Sequence, residues 1–96
     1  MNAYLLTFDT DRYDRRTLLS TIDAMEEIAN WYAFFPGSVA IVSEHDAKSV
    51  ANALRHHLPK APFLITSIER GSRAGFLPRS VWKFIKDPQS VDRLAS

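Results

Sequence analysis

Cysteine is absent from the 96 residues, and glycine occurs only three times. Without thiols the chain has no disulfide framework, no thiol nucleophile and no thiolate metal site. That lack fits a reducing compartment, so a cytoplasmic location is expected. Long apolar runs are missing too. No stretch approaches the roughly 20 apolar residues that a bilayer-spanning helix needs, and no membrane partner is expected. The opening MNAYLLTFDT has no basic start and too short an apolar run for a signal peptide. Gly71 and Gly75 do not form a glycine-rich phosphate-binding fingerprint. Nothing in the spacing of serine, histidine and aspartate suggests a catalytic triad.

What is present suits one globular domain over residues 1–96: 46% of residues are apolar and 24% charged, in a chain long enough for one modest core. The net charge of +1 conceals a division. Residues 1–47 carry three arginines against eight acids, a net of −5, and residues 48–96 carry nine basic residues against three acids, a net of +6. Such a split suits an acidic site beside a phosphate-binding surface, or attraction between two copies of the chain. Folding can also mix the charges into an ordinary surface.

Ala3–Phe8 is a short apolar run that predicts a buried or centrally paired strand. Leu18, Leu19, Ile22 and Met25 then recur at helical spacing and predict a helix over 13–25, with Asp11 or Asp14 as its cap. NWYAFF and SVAIVS flank Pro36-Gly37 and read as a hairpin. Ala47, Val50, Ala51, Leu54 and Leu58 line one face of a second helix that Pro59 stops, and Ser43 with Asp46 resembles a capping box. Pro62–Glu69 is a fourth strand, RGSRAG a loop, and 78–85 a short helix ended by Pro88. The order β-α-β-β-α-β predicts an α+β, ferredoxin-like sandwich. Its four-stranded antiparallel sheet has two helices on one face and a C-terminal extension over about 76–96.

Both faces of that sheet are apolar. Tyr32 and Phe34 point to one side of the second strand and Trp31, Ala33 and Phe35 to the other. Helices on one face alone would leave the other to a partner, which makes Tyr32 and Phe34 candidate residues of a homodimer interface. The alternative cover is the C-terminal helix of the same chain, through Trp82.

The stretch FDTDRYDRR, Phe8–Arg16, ends the first strand in alternating acids and arginines. Mg²⁺ takes hard oxygen ligands, and one or two carboxylates with water and substrate phosphate suffice. Asp9 and Asp11 are the candidate metal ligands. A second copy would bring its own pair, and four clustered acids repel one another without a cation. Bound Mg²⁺ could activate water for attack on phosphorus, while Arg12, Arg15 and Arg16 fork onto phosphate oxygens. The plainer account has Asp11 and Asp14 capping the helix and the arginines solvated. Arg70 and Arg73, in ERGSRAG and followed by Arg79, Lys83 and Lys86, form a second candidate phosphate surface. His56 and His57 are adjacent on a helix and diverge by about 100°, and with His45 they lack the spacing of a zinc site.

The order of YLLTFD, an arginine-bearing helix, the aromatic NWYAFF and SVAIVSE, closing on GFLPRSVWKFI, resembles small CRISPR-associated proteins of the Cas-two type and their stand-alone SinR-family relatives. The resemblance implies a ferredoxin-like homodimer that associates with RNA or DNA. Asp9 matches the aspartate that ends the first strand in the CRISPR family, where two copies are thought to hold a divalent metal for phosphodiester hydrolysis. It therefore implies Asp9 as the catalytic residue of a Mg²⁺-dependent endonuclease, in a defence or toxin–antitoxin setting. AFFPG stands where the family often has arginine and glutamine before its serine-valine pair, here Ser38-Val39. The alternative function is a non-catalytic dimeric scaffold or regulator of the same fold.

Overall fold

A computed structural model describes residues 1–86. The expected stop at Pro88 and the stretch 89–96 lie outside the described residues. Strand β1 runs Asn2–Phe8, and its alternate residues Tyr4, Leu6 and Phe8 are buried. Helix α1, Arg15–Ala24, buries Leu18, Leu19 and Ile22. It is shorter than 13–25 at both ends for local reasons. Asp14 is the cap, its carboxylate accepting the Thr17 backbone N–H at 3.0 Å and the Thr17 hydroxyl at 2.9 Å. Tyr13 donates its N–H to the Asp9 carbonyl at 3.0 Å instead of entering the helix. At the other end Met25 is extended.

Strands β2 (Asn30–Phe35) and β3 (Ser38–Ser43) form the hairpin. Helix α2 spans Ala47–His57 and strand β4 Phe63–Ser67. A single 3-10 turn at Arg70–Ser72 replaces part of the expected loop, and helix α3 spans Arg79–Lys86. Asp46 alone caps α2, accepting the Ser49 N–H at 2.8 Å. Ser43 is not its cap. It is fully buried, its hydroxyl donating to the Glu27 carbonyl and accepting the His45 N–H. That pair of bonds satisfies a polar group that would otherwise be costly to bury.

All strand pairs are antiparallel, in the order β2-β3-β1-β4. The larger core lies between the sheet and helices α1 and α2, around Leu6, Leu18, Ile22, Trp31, Ile41 and Leu54. Trp31 is buried with its indole N–H donating to the Asp23 carboxylate at 2.9 Å, the partner such a ring requires in a core. A bulge between Ala33 and Phe35 breaks the alternation of β2. Phe35 is therefore 51% exposed and does not share the buried face of Trp31 and Ala33.

The opposite face of the sheet is covered by α3. Val81, Phe84 and Ile85 are buried, each contributing roughly 1.5–3 kcal/mol of apolar burial. Tyr32 meets the Phe84 ring edge-on at 5.6 Å, and its hydroxyl bonds that of Ser80 at 2.7 Å. Phe34 packs beside the same cluster. Tyr32 and Phe34 thus do not form a bare surface: the C-terminal helix of the same chain covers much of it. The helix does so through Val81, Phe84 and Ile85, with Trp82 only half-buried at the rim. An apolar groove of about 480 Å³ remains beside it, lined among others by Leu5, Phe34, Thr66, Leu77 and Trp82.

Gly37 shows why the hairpin tip needs a glycine. Its φ is not positive, so the left-handed freedom of glycine is not what the turn uses. The need is for space. A Cβ there would lie 2.8 Å from the Phe8 carbonyl oxygen, and Gly37 accepts the Phe8 N–H at 3.0 Å. Gly37→Ala is expected to destabilise the fold by about 1–3 kcal/mol through this backbone clash. The check is the urea midpoint; an unchanged midpoint would mean that the tip is free to leave β1. Among the described residues no helix is long and apolar enough to cross a membrane.

Candidate nucleic-acid interface

The residues suspected of phosphate chemistry separate to opposite ends of the sheet. Asp9, Asp11, Arg12, Arg15 and Arg16 follow the C-terminal end of β1. Arg70 and Arg73 follow the C-terminal end of β4, which in an antiparallel pair lies beside the start of β1. The seven residues of β1 hold the two groups about 20 Å apart. One site built from both sets is therefore not assembled within one chain.

At the first end, Asp9 organises its own loop. Its Oδ1 accepts the Asp11 backbone N–H at 2.9 Å, its Oδ2 lies 3.8 Å from Arg12 Nε, and its carbonyl receives the N–H groups of Arg12 and Tyr13. This is an aspartate turn that brings the chain from β1 into α1. Its carboxylate is 49% exposed and the Arg12 side chain 75%, so the ion pair contributes little to stability. Arg15 is committed differently, donating from Nε to the Pro36 carbonyl at 3.1 Å, which ties α1 to the hairpin tip. Asp14 is used as the helix cap. Among the described residues no three histidine or acidic side chains converge as a metal-holding group. His56 and His57 stand edge-to-face on α2 with ring centres 5.7 Å apart.

Hydrogen bonds from Thr17 hold the Asp14 carboxyl below its usual range, with a smaller contribution from the Arg16 charge. Ser49 does the same for Asp46. Both groups are better ionised folded than unfolded, so their stabilisation is fully present above the ordinary value of 3.8. It is lost as pH falls through the lowered folded values. The thermal midpoint is expected to fall on acidification below about pH 4, and less steeply in Asp14→Asn. Identical acid limbs for the two proteins would contradict the cap's part in it.

At the second end, Arg70, Arg73 and Lys86 border a cleft of about 450 Å³ lined also by Asn2, Ala3 and Val42. The 3-10 turn places Arg70, the chain leaving it places Arg73, and the last turn of α3 contributes Lys86. Glu69 shares the rim, leaving three basic side chains against one acidic one. Such a cleft suits a polyanion: arginine forks bidentately onto phosphate oxygens, and lysine adds a point charge. The density of basic residues in ERGSRAG points to Arg70 and Arg73. Lys86 stood within the same basic stretch, but only the packing of α3 on the sheet brings it to them. Arg79 and Lys83 do not line the cleft.

Comparison of the chain with protein-family models, with curated proteins and with solved structures finds no match.

Proposed function

We propose that this chain is a ferredoxin-like, nucleic-acid-associated protein of Cas-two-like character that works as a cytoplasmic homodimer. In this reading it engages RNA or DNA phosphates through Arg70, Arg73 and Lys86 as a non-catalytic scaffold or regulator. The observation that carries the phosphate reading is the cationic cleft between β1, β4 and α3. The βαββαβ order, with a sheet order that reads β4-β1-β3-β2 from its other edge, supports the ferredoxin-like assignment. Binding through phosphates predicts affinity that falls steeply with salt and depends little on base sequence. A fluorescence-anisotropy titration of labelled single-stranded RNA and DNA at several salt concentrations tests it. Salt-independent binding, or none, contradicts it.

A second reading rests on the half-exposed Asp9 carboxylate, which the aspartate turn holds beside Asp11. There, Mg²⁺ held by Asp9 and Asp11 would supply charge neutralisation and an activated water for phosphodiester hydrolysis, making the protein an endonuclease. In that case Asp9→Asn abolishes Mg²⁺-dependent cleavage of RNA or DNA while leaving the anisotropy titration unchanged. Cleavage that survives the substitution removes Asp9 from the chemistry.

A further inference from the structure

The two edges of the sheet are not equivalent. The β2 edge is bulged between Ala33 and Phe35, a feature that discourages pairing with another strand. The β4 edge, FLITS, has no charge, proline or bulge. Among the described residues its main contacts are with β1 beside it and α2 on one face. The Ile68 N–H donates to the Ala3 carbonyl at 2.9 Å. By the alternation of an antiparallel ladder, Leu64 and Thr66 also direct their backbone groups toward β1, while Phe63, Ile65 and Ser67 direct theirs outward.

We infer that two copies join along β4 in antiparallel fashion about a two-fold axis at Ile65, forming a continuous eight-stranded sheet. This specifies the partner and geometry of the homodimer in the reading above and rests on it for the dimeric state. The register is self-complementary. Phe63 of one copy opposes Ser67 of the other, Ile65 opposes Ile65, and every opposed pair on the axis side has its N–H and C=O groups turned to the partner. Pro62, which has no N–H, falls at an inward position and costs this edge nothing. Leu64, 60% exposed in one chain, comes to lie over Thr66 of the second copy at cross-strand contact distance, about 4.5–5.5 Å between Cβ atoms. Asp9 comes level with Ile68 of the second copy two strands away, about 10 Å, next to its Arg70. An acid from the first half of one chain is thereby set near an arginine from the second half of the other. The two Asp9 residues end on the order of 20–25 Å apart.

The absence of cysteine makes a direct test simple. Ile65→Cys places one thiol per chain on the axis, where paired Cα atoms about 5.5 Å apart suit a disulfide. Asp9→Cys places thiols far from each other in this dimer and together in one that unites two Asp9 residues. Mild oxidation is expected to cross-link Ile65→Cys and not Asp9→Cys. Because Ile65 packs on the core, a second variant guards against misfolding. Ser67→Pro removes only an outward N–H and is expected to leave the circular dichroism unchanged while converting the dimer to monomer by sedimentation velocity. A dimer that survives Ser67→Pro, or that cross-links through Asp9→Cys and not Ile65→Cys, overturns the β4 geometry and leaves the dimeric reading standing. A wild-type protein monomeric at high micromolar concentration overturns both.

Discussion

Phe84→Ala is expected to lower the unfolding free energy by about 3–5 kcal/mol, the usual cost of removing a buried phenyl ring. Phe84 is 1% exposed and meets Tyr32 edge-on. Its removal leaves a cavity between α3 and the sheet and deprives the aromatic pair of its contact. A loss of this size is a large share of the 5–15 kcal/mol that holds an ordinary domain together. The chemical-denaturation midpoint should fall sharply. Tyr32→Phe removes only the exposed hydroxyl bond to Ser80 and should cost less. The comparison bears on function because α3 does two things. It covers the second face of the sheet with Val81, Phe84 and Ile85, and it carries Lys86 to the cleft. Loosening it should also weaken polyanion binding, although Phe84 does not line the cleft. Wild-type stability in Phe84→Ala would mean that α3 does not rest on the sheet.

Replacing Arg70 and Arg73 together by glutamate is expected to reduce affinity for single-stranded RNA at least tenfold. Two attractive phosphate contacts are lost, and two repulsive charges join Glu69. Replacement by alanine should act more mildly. If both arginines contact phosphate, the slope of log affinity against log salt becomes shallower by about 1.4, the value for two contacts on a single strand. The two effects differ in kind. A structural disturbance would lower affinity without this defined change in slope; Arg70 is exposed and Arg73 half-buried, and substitution at exposed positions seldom disturbs folding. Arg12→Ala, at the far end of the sheet within one chain, should lower affinity less than the loss of either cleft arginine. An equal loss from Arg12→Ala would mean that the nucleic acid spans the whole sheet or also touches the Asp9 end of the second copy.

Most elements could be read from periodicity and turn chemistry. Leu18, Leu19 and Ile22 marked α1, Val50 and Leu54 marked α2, and Pro36-Gly37 marked the hairpin. All of these signals act within a few residues. Local signals fall short where two distant segments share one interaction. Ser43 looked like a cap, yet its hydroxyl is used by the Glu27 carbonyl across a loop. Phe35 fitted the alternation of β2 until a bulge displaced it. Tyr32 and Phe34 read as a surface needing a partner because an alternating strand shows only that both faces are apolar. Which element covers each face depends on the path of the chain after β4. The site was legible only as residue types. Arg70 and Arg73 were found from local charge density, but their separation from Arg12, Arg15 and Arg16 by the length of β1 follows from sheet topology. The acids of FDTDRYD are largely accounted for by local hydrogen bonding at Asp9 and Asp14, a use that short polar side chains have wherever a strand turns into a helix.

The most direct test of the proposed nucleic-acid contact is an amide NMR titration of the uniformly labelled chain with a short single-stranded oligonucleotide. The cleft account predicts shifts concentrated at Asn2, Ala3, Ser67–Arg73 and Lys86, unchanged by added Mg²⁺, with those at Asp9–Arg16 smaller. Shifts confined to Asp9–Arg16 that appear only when Mg²⁺ is present would contradict it and move the function to the other end of the sheet.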